Sequence, residues 1–188
     1  MGLEADNIIE GPWGQHVEQA MKARAPLLGG ACFAEVFIDG REFNLSLLAG
    51  PQGPLVLSPA EIIFEGFGAD QPRIVGYRAK WDTDSAEFQG TPRTFDFEPG
   101  DRSLLAELKH MALQCWQIFG LRGYARVDFR IDDRGQPWIL EINANPCLSP
   151  DAGFAAAIAR SGMSYNQTVE WILADGVIRR PYLSSPDR

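Results

Sequence analysis

Apolar residues recur at helical spacing in two long stretches of the chain. Residues 13–25 show this pattern and are followed by Pro26, so they are predicted to form a first helix. Residues 101–119 show it over a longer stretch, with Asp101 as the predicted N-cap and Cys115 on the apolar face. Cys115 is therefore predicted to lie in the core and to carry no chemistry. Two shorter helices are predicted over residues 152–160 and 165–174.

Runs of β-forming residues lie between the two long helices. Residues 31–38 and 42–49 are joined by Asp39 and Gly40, a dipeptide that favours a hairpin turn, so the two runs are predicted to pair. Residues 80–93 are polar and rich in turn-forming residues, which predicts a long exposed loop. Shorter extended segments are predicted at residues 55–57, 61–64 and 73–77.

A second hairpin is predicted from residues 123–131 and 137–143, which are separated by the turn-forming residues 132–135. Successive side chains of a strand point to opposite faces, so the apolar residues of the first strand all share one face. That face is predicted to pack on the core, and its members are Ala125, Val127, Phe129 and Ile131.

The opposite face of this hairpin gathers polar side chains that suit a metal ion. A tight central turn predicts that Arg126 lies opposite Glu141 and Asp128 opposite Ile139, with Asn143 on the same face. Two carboxylates and an amide oxygen are hard ligands of the kind that Mg²⁺ prefers, and an arginine beside them can stabilise developing negative charge. The alternative is an ordinary solvated sheet face held by arginine–carboxylate pairs.

Composition narrows the classes of function. The chain has 188 residues, of which 45% are hydrophobic, and a formal net charge of -8, so it can bury one domain's core and is a poor candidate for nucleic-acid binding. Three widely spaced cysteines indicate neither a disulfide framework nor a zinc site. We recognise no export signal and no membrane span, and a cytoplasmic location is expected.

Four motifs occur in order along the chain: AEVFIDGREFN at 34–44, GYRAKW at 76–81, GYARVDF at 123–129 and LEINANP at 140–146. They resemble motifs of the D-alanine:D-alanine ligases of the ATP-grasp superfamily. The segments GYARVDF at 123–129 and LEINANP at 140–146 resemble the closing motifs of that family, in which an RxD is followed by ExN at this separation. Residues 34–44, AEVFIDGREFN, look like its adenine-binding linker, and residues 76–81, GYRAKW, look like its phosphate-binding lysine. The matching motifs occur in the family's order over nearly two-thirds of the chain.

The resemblance implies an α+β fold, the C-terminal region of an ATP-grasp protein with a mostly antiparallel sheet flanked by helices. Residues 1–176 are expected to form a partial ATP-grasp domain, with the first ATP-binding subdomain largely missing at the N-terminus. Residues 177–188 are expected to be a C-terminal tail.

The resemblance also implies a nucleotide site. Glu42 would bind the ribose hydroxyls, Lys80 would bind the phosphates, and Glu141 would contribute to nucleotide binding through the metal. The residues implied to contact adenine are Glu35, Val36, Phe37, Ile38, Ile74 and Leu140.

The chemistry implied by the resemblance needs metal ions and positive charge. Asp128, Glu141 and Asn143 would hold two Mg²⁺ ions, with Mn²⁺ as an alternative and Glu141 bridging the pair. Arg126 and Lys80 are the implied catalytic residues, Arg126 orienting the reacting acyl phosphate and Lys80 neutralising charge on the phosphoryl group.

The implied activity is ATP- and magnesium-dependent joining of a small carboxylate to an amine through an acyl phosphate. The intact protein is expected to supply a missing N-terminal region, and the fragment alone is expected to bind Mg·ATP weakly and to be inactive. A homodimer is left open. Two other classes also stay open: a non-catalytic nucleotide-binding module or subunit completed by another chain, and an ATP-grasp ligase with a different acceptor.

The sequence departs from this family after the NANP segment. In D-alanine:D-alanine ligases a glycine follows there, and a serine–leucine pair further on holds the carboxylate of the second D-alanine. Here Cys147 replaces the glycine, Ala152 and Gly153 occupy the pair's places, and the nearby Ser149 lies three residues too early. Losing that hydroxyl predicts an acceptor other than D-alanine, and Cys147 is predicted to be a small packing residue.

Overall fold

A computed structural model describes residues 7–9, 14–68 and 71–178 of the chain. These residues divide into two compact units. One unit comprises the described residues up to Asp39 together with Phe64–Pro92, and the other comprises Gly40–Ile63 together with the described residues from Arg93 onward. Of the predicted tail, only residues 177 and 178 fall within the described part, where they end a helix.

The first unit contains three helices and long irregular segments. The predicted first helix is confirmed as α1 (Gln15–Arg24), and it continues into a 3-10 turn over Ala25–Leu28 that contains Pro26. Two short helices follow, α2 (Tyr77–Trp81) and α3 (Ala86–Gln89).

Three predictions for this unit were wrong. Residues 31–38 form no strand, so the hairpin predicted around Asp39 and Gly40 does not exist. Residues 73–77 are not extended as a strand either; the segment leads into α2. The loop predicted over 80–93 contains the whole of α3, where the side chain of Ser85 accepts a hydrogen bond from the backbone N–H of Phe88 and caps the helix.

The second unit is built on a six-stranded antiparallel sheet. Its strands run in the order β4, β3, β1, β5, β6, and β2 also pairs with β1. Because β1 is long, β5 covers one of its edges while β3 and β2 share the other. The strands are β1 (Arg41–Gly50), β2 (Gly53–Val56), β3 (Ala60–Ile62), β4 (Arg93–Thr94), β5 (Tyr124–Ile131) and β6 (Pro137–Asn143).

One face of this sheet packs on helix α4 (Arg102–Ile118), and together they form the core. The predicted apolar face of β5 is confirmed, since all four of its residues are buried, and Cys115 is buried as predicted. Phe119, the last residue of the apolar pattern predicted over residues 101–119, is 64% exposed instead of buried. The buried core residues are Phe43, Leu45, Leu47, Leu108, Ala112, Cys115, Val127, Phe129 and Ile131.

Asp101 does not cap α4 as predicted. Its backbone is already helical, and its carboxylate binds the guanidinium of Arg41 instead, with a distance of 2.6 Å from Arg41 Nη1 to Asp101 Oδ1. Arg41 also binds Glu61 through two hydrogen bonds. Ion pairs of Arg41 thus link the start of α4 to β1 and β3.

The C-terminal helices are α5 (Gly153–Arg160) and α6 (Tyr165–Ile178). Phe154 of α5 contacts Tyr124 edge to face, at 5.6 Å between ring centroids, so α5 packs beside the start of β5. The carboxylate of Asp175 in α6 accepts a hydrogen bond from the backbone N–H of Gly123. Within the described residues, no helix combines the length and the apolar character needed to cross a bilayer.

Candidate functional site

The β5–β6 hairpin carries most of the chemistry predicted from sequence, but its register differs from the prediction. Asp128 lies opposite Glu141, and Arg126 lies opposite Asn143. The predicted pairs, Arg126 with Glu141 and Asp128 with Ile139, were wrong.

A β-bulge explains the difference. The pairing shifts by one residue between Asp128 and Phe129, because Phe129 lies opposite Ile139 while Asp128 lies opposite Glu141, so Leu140 is the extra residue. Directly opposed residues of a ladder share a face, so the bulge brings Glu141 onto the face of Asp128. The predicted polar face therefore exists, although Ile139 lies with Phe129 on the other one.

Asp128 lies at the centre of a hydrogen-bond network on this face. Arg126 binds both of its carboxylate oxygens at 2.7 Å, and Asn44 of β1 donates to Oδ1 at 2.9 Å. Asp128 is 4% exposed, so these bonds compensate for its lost hydration. Burial disfavours the charge on Arg126, but the bond with Asp128 and the negative charges of Asp128, Glu141 and Glu42 outweigh it and raise the pKa of Arg126.

A second arginine–carboxylate pair lies on the same face. Glu42 of β1 faces Arg130 of β5, and the distance from Arg130 Nη2 to Glu42 Oε2 is 2.9 Å. Both side chains are almost fully buried. The predicted ribose-binding residue is therefore part of a buried ion pair within the sheet.

The donor set of the predicted magnesium site has the chemistry that suits a hard cation, and its three residues share one face of the hairpin. Glu141 is exposed and makes no hydrogen bond or ion pair within the described part of the chain. Asn143 Oδ1 accepts one bond, from the N–H of Asn145, and an amide oxygen has two lone pairs. Asp128 accepts three bonds, which leaves about one of its roughly four acceptor positions.

This site contains only two carboxylates. In agreement with that, the described residues include no group of three or more His, Cys, Asp or Glu side chains placed to hold a metal ion. A cation bound here would be held by Asp128, Glu141 and Asn143 and would share Asp128 with Arg126. The metal-binding roles of these three residues remain predictions.

The remaining predicted nucleotide residues lie mostly in the first unit. Residues 35–38 form an irregular segment in which Val36 and Phe37 are exposed, and its backbone makes no hydrogen bond to other described residues. Lys80 lies on α2 with an exposed side chain, and Ile74 lies in the irregular segment before this helix. Leu140, at the bulge in the second unit, is 45% exposed.

The loop after β6 places Cys147 in solvent, so the prediction of a packing residue was wrong. Its thiol lies 3.3 Å from the hydroxyl of Ser149. Hydrogen bonds from Ser149 and the positive charge of Arg126 lower the pKa of the thiol, although Asp151 opposes this. Cys147 is therefore an exposed thiol with a lowered pKa, and it is no part of the packed core.

Arg93 is influenced by the charges of Arg126 and Asp151, and the sequence patterns did not predict this. Loss of surrounding water and the charge of Arg126 lower the pKa of its guanidinium, whereas Asp151 raises it. Nothing in the local pattern marks Arg93, because it opens a strand of two residues far along the chain from the hairpin.

Comparison with known proteins agrees with this architecture. The sequence matches the family described as D-ala D-ala ligase C-terminus over residues 15–174. The chain belongs to this family. The ATP-grasp ligase assignment expected from the motifs is thereby confirmed.

Two relatives of this ligase domain illustrate the extent of the match. The D-alanine–D-alanine ligase of Bordetella avium (strain 197N) is 30% identical over 161 residues, covering 85% of this chain and 46% of that protein. A protein named Uncharacterized protein y4sG, of Sinorhizobium fredii (strain NBRC 101917 / NGR234), is 32% identical over 157 residues, and the match covers 44% of that protein. The chain thus spans about half the length of the curated relatives it matches.

Solved structures confirm the fold of the ligase domain. The D-alanine–D-alanine ligase from Bacillus anthracis complexed with ATP superposes with a TM-score of 0.62 at 18% identity, covering 86% of this chain and 47% of that one. The antiparallel six-stranded sheet with flanking helices is the predicted α+β arrangement.

Proposed function

We propose that this chain is the nucleotide-binding part of an ATP- and magnesium-dependent ligase that joins a carboxylate to an amine. The observation that carries the proposal is the bulge at Leu140, which brings Glu141 opposite Asp128 on the face that also holds Arg126. Bulges are over-represented next to active sites, where they redirect a side chain, and this one turns Glu141 onto the face of Asp128.

The overall reaction follows from the family's chemistry. The carboxylate substrate attacks the γ-phosphorus of ATP, which forms an acyl phosphate and releases ADP. The amine then attacks the acyl carbon, phosphate leaves, and the nitrogen loses a proton as the amide forms. Magnesium, when bound by Asp128, Glu141 and Asn143, would offset the negative charge of the nucleotide phosphates. Most of the catalysis is positioning and charge stabilisation.

Asp128 and Arg126 have different roles in this proposal. Asp128 holds the guanidinium of Arg126 by two bonds, so Arg126 presents a fixed positive charge to the reacting group. The raised pKa of Arg126 keeps it cationic throughout the physiological range. In this proposal Arg126 stabilises the tetrahedral species that forms when the amine attacks.

The other nucleotide contacts implied by the family resemblance are kept in this proposal. The backbone groups of Val36, Phe37 and Ile38 have no partner among the described residues, which leaves them available to a purine edge. Lys80 makes no side-chain bond with other described residues and is proposed to bind phosphate. Glu35, Glu42 and Ile74 keep the roles that the family resemblance implies.

Equilibrium binding tests the proposal more cleanly than turnover, because the chain spans about half the length of its curated relatives. Calorimetric titration of the 188-residue chain with ATP, AMP and adenosine in excess MgCl₂ should show weak binding that strengthens with the number of phosphates. Phosphate release with D-alanine present should stay at background. Absence of ATP binding by the folded chain would contradict the proposal.

One observation favours a second candidate, a non-catalytic nucleotide-binding module. Both carboxylate oxygens of Asp128 are already engaged by Arg126, so this residue can bind a cation only by sharing. Such a module would bind ATP with the same affinity whether or not magnesium is present.

A further inference from the structure

Arg93 shares the sheet face that carries the proposed site. Its register partner on β3 is Ile62, Ile62 lies opposite Glu42 on β1, and Glu42 lies opposite Arg130 on β5. Opposed residues of an antiparallel ladder share a face. The side chain of Arg93 therefore emerges on the face of Glu42 and Arg130, which is also the face of Asp128.

The guanidinium of Arg93 packs closely against the first residue of α5. A Cβ built on Gly153 would lie 3.0 Å from Arg93 Nε and 3.4 Å from Cζ, closer than such contacts normally come. The absence of a side chain at Gly153 thus makes room for the arginine. The side chain extends from the edge strand β4 toward the loop and helix that follow β6.

Arg93 has no direct partner there. Arg126 is bound by Asp128, and Arg130 is bound by Glu42, whereas Arg93 makes no hydrogen bond or ion pair with any residue that the structure describes. A guanidinium has five N–H donors in a rigid fork suited to carboxylates and phosphates.

The electrostatic neighbourhood of Arg93 favours an anion. The side chain of Arg93 is exposed to solvent at the start of β4. Partial loss of water and the positive charge of Arg126 lower the pKa of its guanidinium, so the charge of Arg126 acts on Arg93. Asp151 attracts Arg93 but does not come within ion-pair distance. An anionic group between the two arginines would relieve their repulsion and use the free donors of Arg93.

We propose that Arg93 is a substrate-binding residue whose guanidinium, beside that of Arg126, binds an anionic oxygen group of a reactant, either a carboxylate or a phosphoryl group. The inference rests on the proposed ligase function and deepens it, because it assigns a second cation to the reacting end of the site. It also supplies a group that can replace the hydroxyl missing at Ala152, since Arg93 lies against the neighbouring Gly153.

Three probes distinguish the two chemical sources. Inorganic phosphate reports a phosphoryl site, D-alanine reports a carboxylate site, and D-alaninamide has the same amine without the carboxylate. Each is titrated at constant ionic strength into the ¹⁵N-labelled 188-residue chain, following backbone amide and arginine Nε–Hε signals. We expect phosphate or D-alanine to bind with shifts at Arg93 and Gly153, and D-alaninamide to cause none there.

The variants identify the residue responsible. Arg93→Gln should weaken binding of the anionic probe about tenfold by removing charged hydrogen bonds. Arg93→Lys should give an intermediate loss, because it keeps the charge but not the fork. Arg102→Gln is the matched control, since Arg102 is exposed at the start of α4, on the opposite face of the sheet, and should bind like the original chain.

Two outcomes would overturn the inference. Either neither anionic probe binds the original chain, or Arg93→Gln weakens binding no more than Arg102→Gln does. Thermal unfolding checks that each variant is folded, and if Arg93→Gln is not, Arg93→Lys decides. Binding of Mg·ATP is measured on the same samples. If the original chain does not bind Mg·ATP, the proposed function is contradicted. If it binds Mg·ATP but substitution of Arg93 has no effect on the anionic probes, only this inference is contradicted.

Discussion

Glu42 combines a predicted ribose contact with a buried ion pair to Arg130. Glu42→Gln removes the negative charge from this pair, while the almost fully buried Arg130 keeps its bond to the carbonyl oxygen of Gly40. Breaking a buried pair in this way typically costs about 3–5 kcal/mol, so the free energy of unfolding should fall by about 3 kcal/mol. Urea unfolding followed by circular dichroism measures this change.

Glu107→Gln is the control for this substitution, because Glu107 is an exposed carboxylate on α4. It should change the free energy of unfolding by about 0.5 kcal/mol at most. A similar small effect of Glu42→Gln would show that Arg130 is satisfied without Glu42 and that the pair is not structural.

At the residue scale, sequence alternation predicted the important features of the hairpin. The buried face of β5 followed from period-two patterning, and Arg126 and Asp128 were placed on the opposite face for the same reason. The partner of Asp128 was not predictable, because a bulge depends on the whole ladder and leaves no local signal at Leu140. Arg93 was missed because register across β3 and β1, not sequence proximity, brings it to this face.

Gly40 determines how closely β1 approaches the end of β5. A Cβ at this position would lie 1.9 Å from the carbonyl oxygen of Ile131, and the backbone has φ of +150°, where side chains are strained. Gly40→Ala should therefore cost about 3 kcal/mol or more of stability, because backbone atoms must move. Gly100→Ala is its control, since nothing lies within 4 Å of a Cβ there.

Thermal melting of the two variants provides the measurement. Gly100→Ala should melt within a few degrees of the original chain, and Gly40→Ala should melt far lower or fail to fold. Equal melting temperatures would mean that the approach of β1 to Ile131 adjusts without cost.

The contact between α4 and β1 should depend on pH through Asp101. Its bond to Arg41 lowers the pKa of the carboxyl below its ordinary value of 3.8, and burial opposes this only in part. A lowered folded-state pKa gives stability that is present above the unfolded pKa and is lost as pH falls through the folded pKa. The contribution is about 1 kcal/mol, because the side chain of Arg41 is 40% exposed.

Asp101→Asn should consequently lower the free energy of unfolding at about pH 5 and above, and the difference should shrink as the pH falls below 3.8. Urea unfolding across this range measures it. Asp133→Asn, in the exposed turn between β5 and β6, should show no such difference. A deficit in Asp101→Asn that persists unchanged at the lowest pH would contradict the electrostatic explanation.

At the element scale, periodicity predicted the bounds of the elements that bury one face against the core. α4 and the β5–β6 hairpin pack on the core and were predicted with nearly correct bounds. Residues 31–38 have β-forming side chains but no strand to pair with, so tertiary context overrode their propensity.

The whole molecule joins a ligase-family sheet to a polar face whose groups are mostly paired. Asp128 and Glu42 are buried and neutralised by arginines, while Glu141 remains exposed without a partner among the described residues. Glu141 is therefore the carboxylate most available to a cation. Replacing it should change ligand binding without changing stability.

Affinity for ATP with and without magnesium tests the central claim most directly. In the original chain, MgCl₂ in excess over ATP should strengthen ATP binding at least about tenfold, because the cation offsets the repulsion between the phosphates and the carboxylates of the hairpin. Glu141→Gln should lose most of that gain while keeping its melting temperature, and Glu98→Gln, an exposed carboxylate elsewhere in the same unit, should keep the gain. An ATP affinity that magnesium does not alter, or a full magnesium effect in Glu141→Gln, would contradict a metal-dependent nucleotide site on this hairpin.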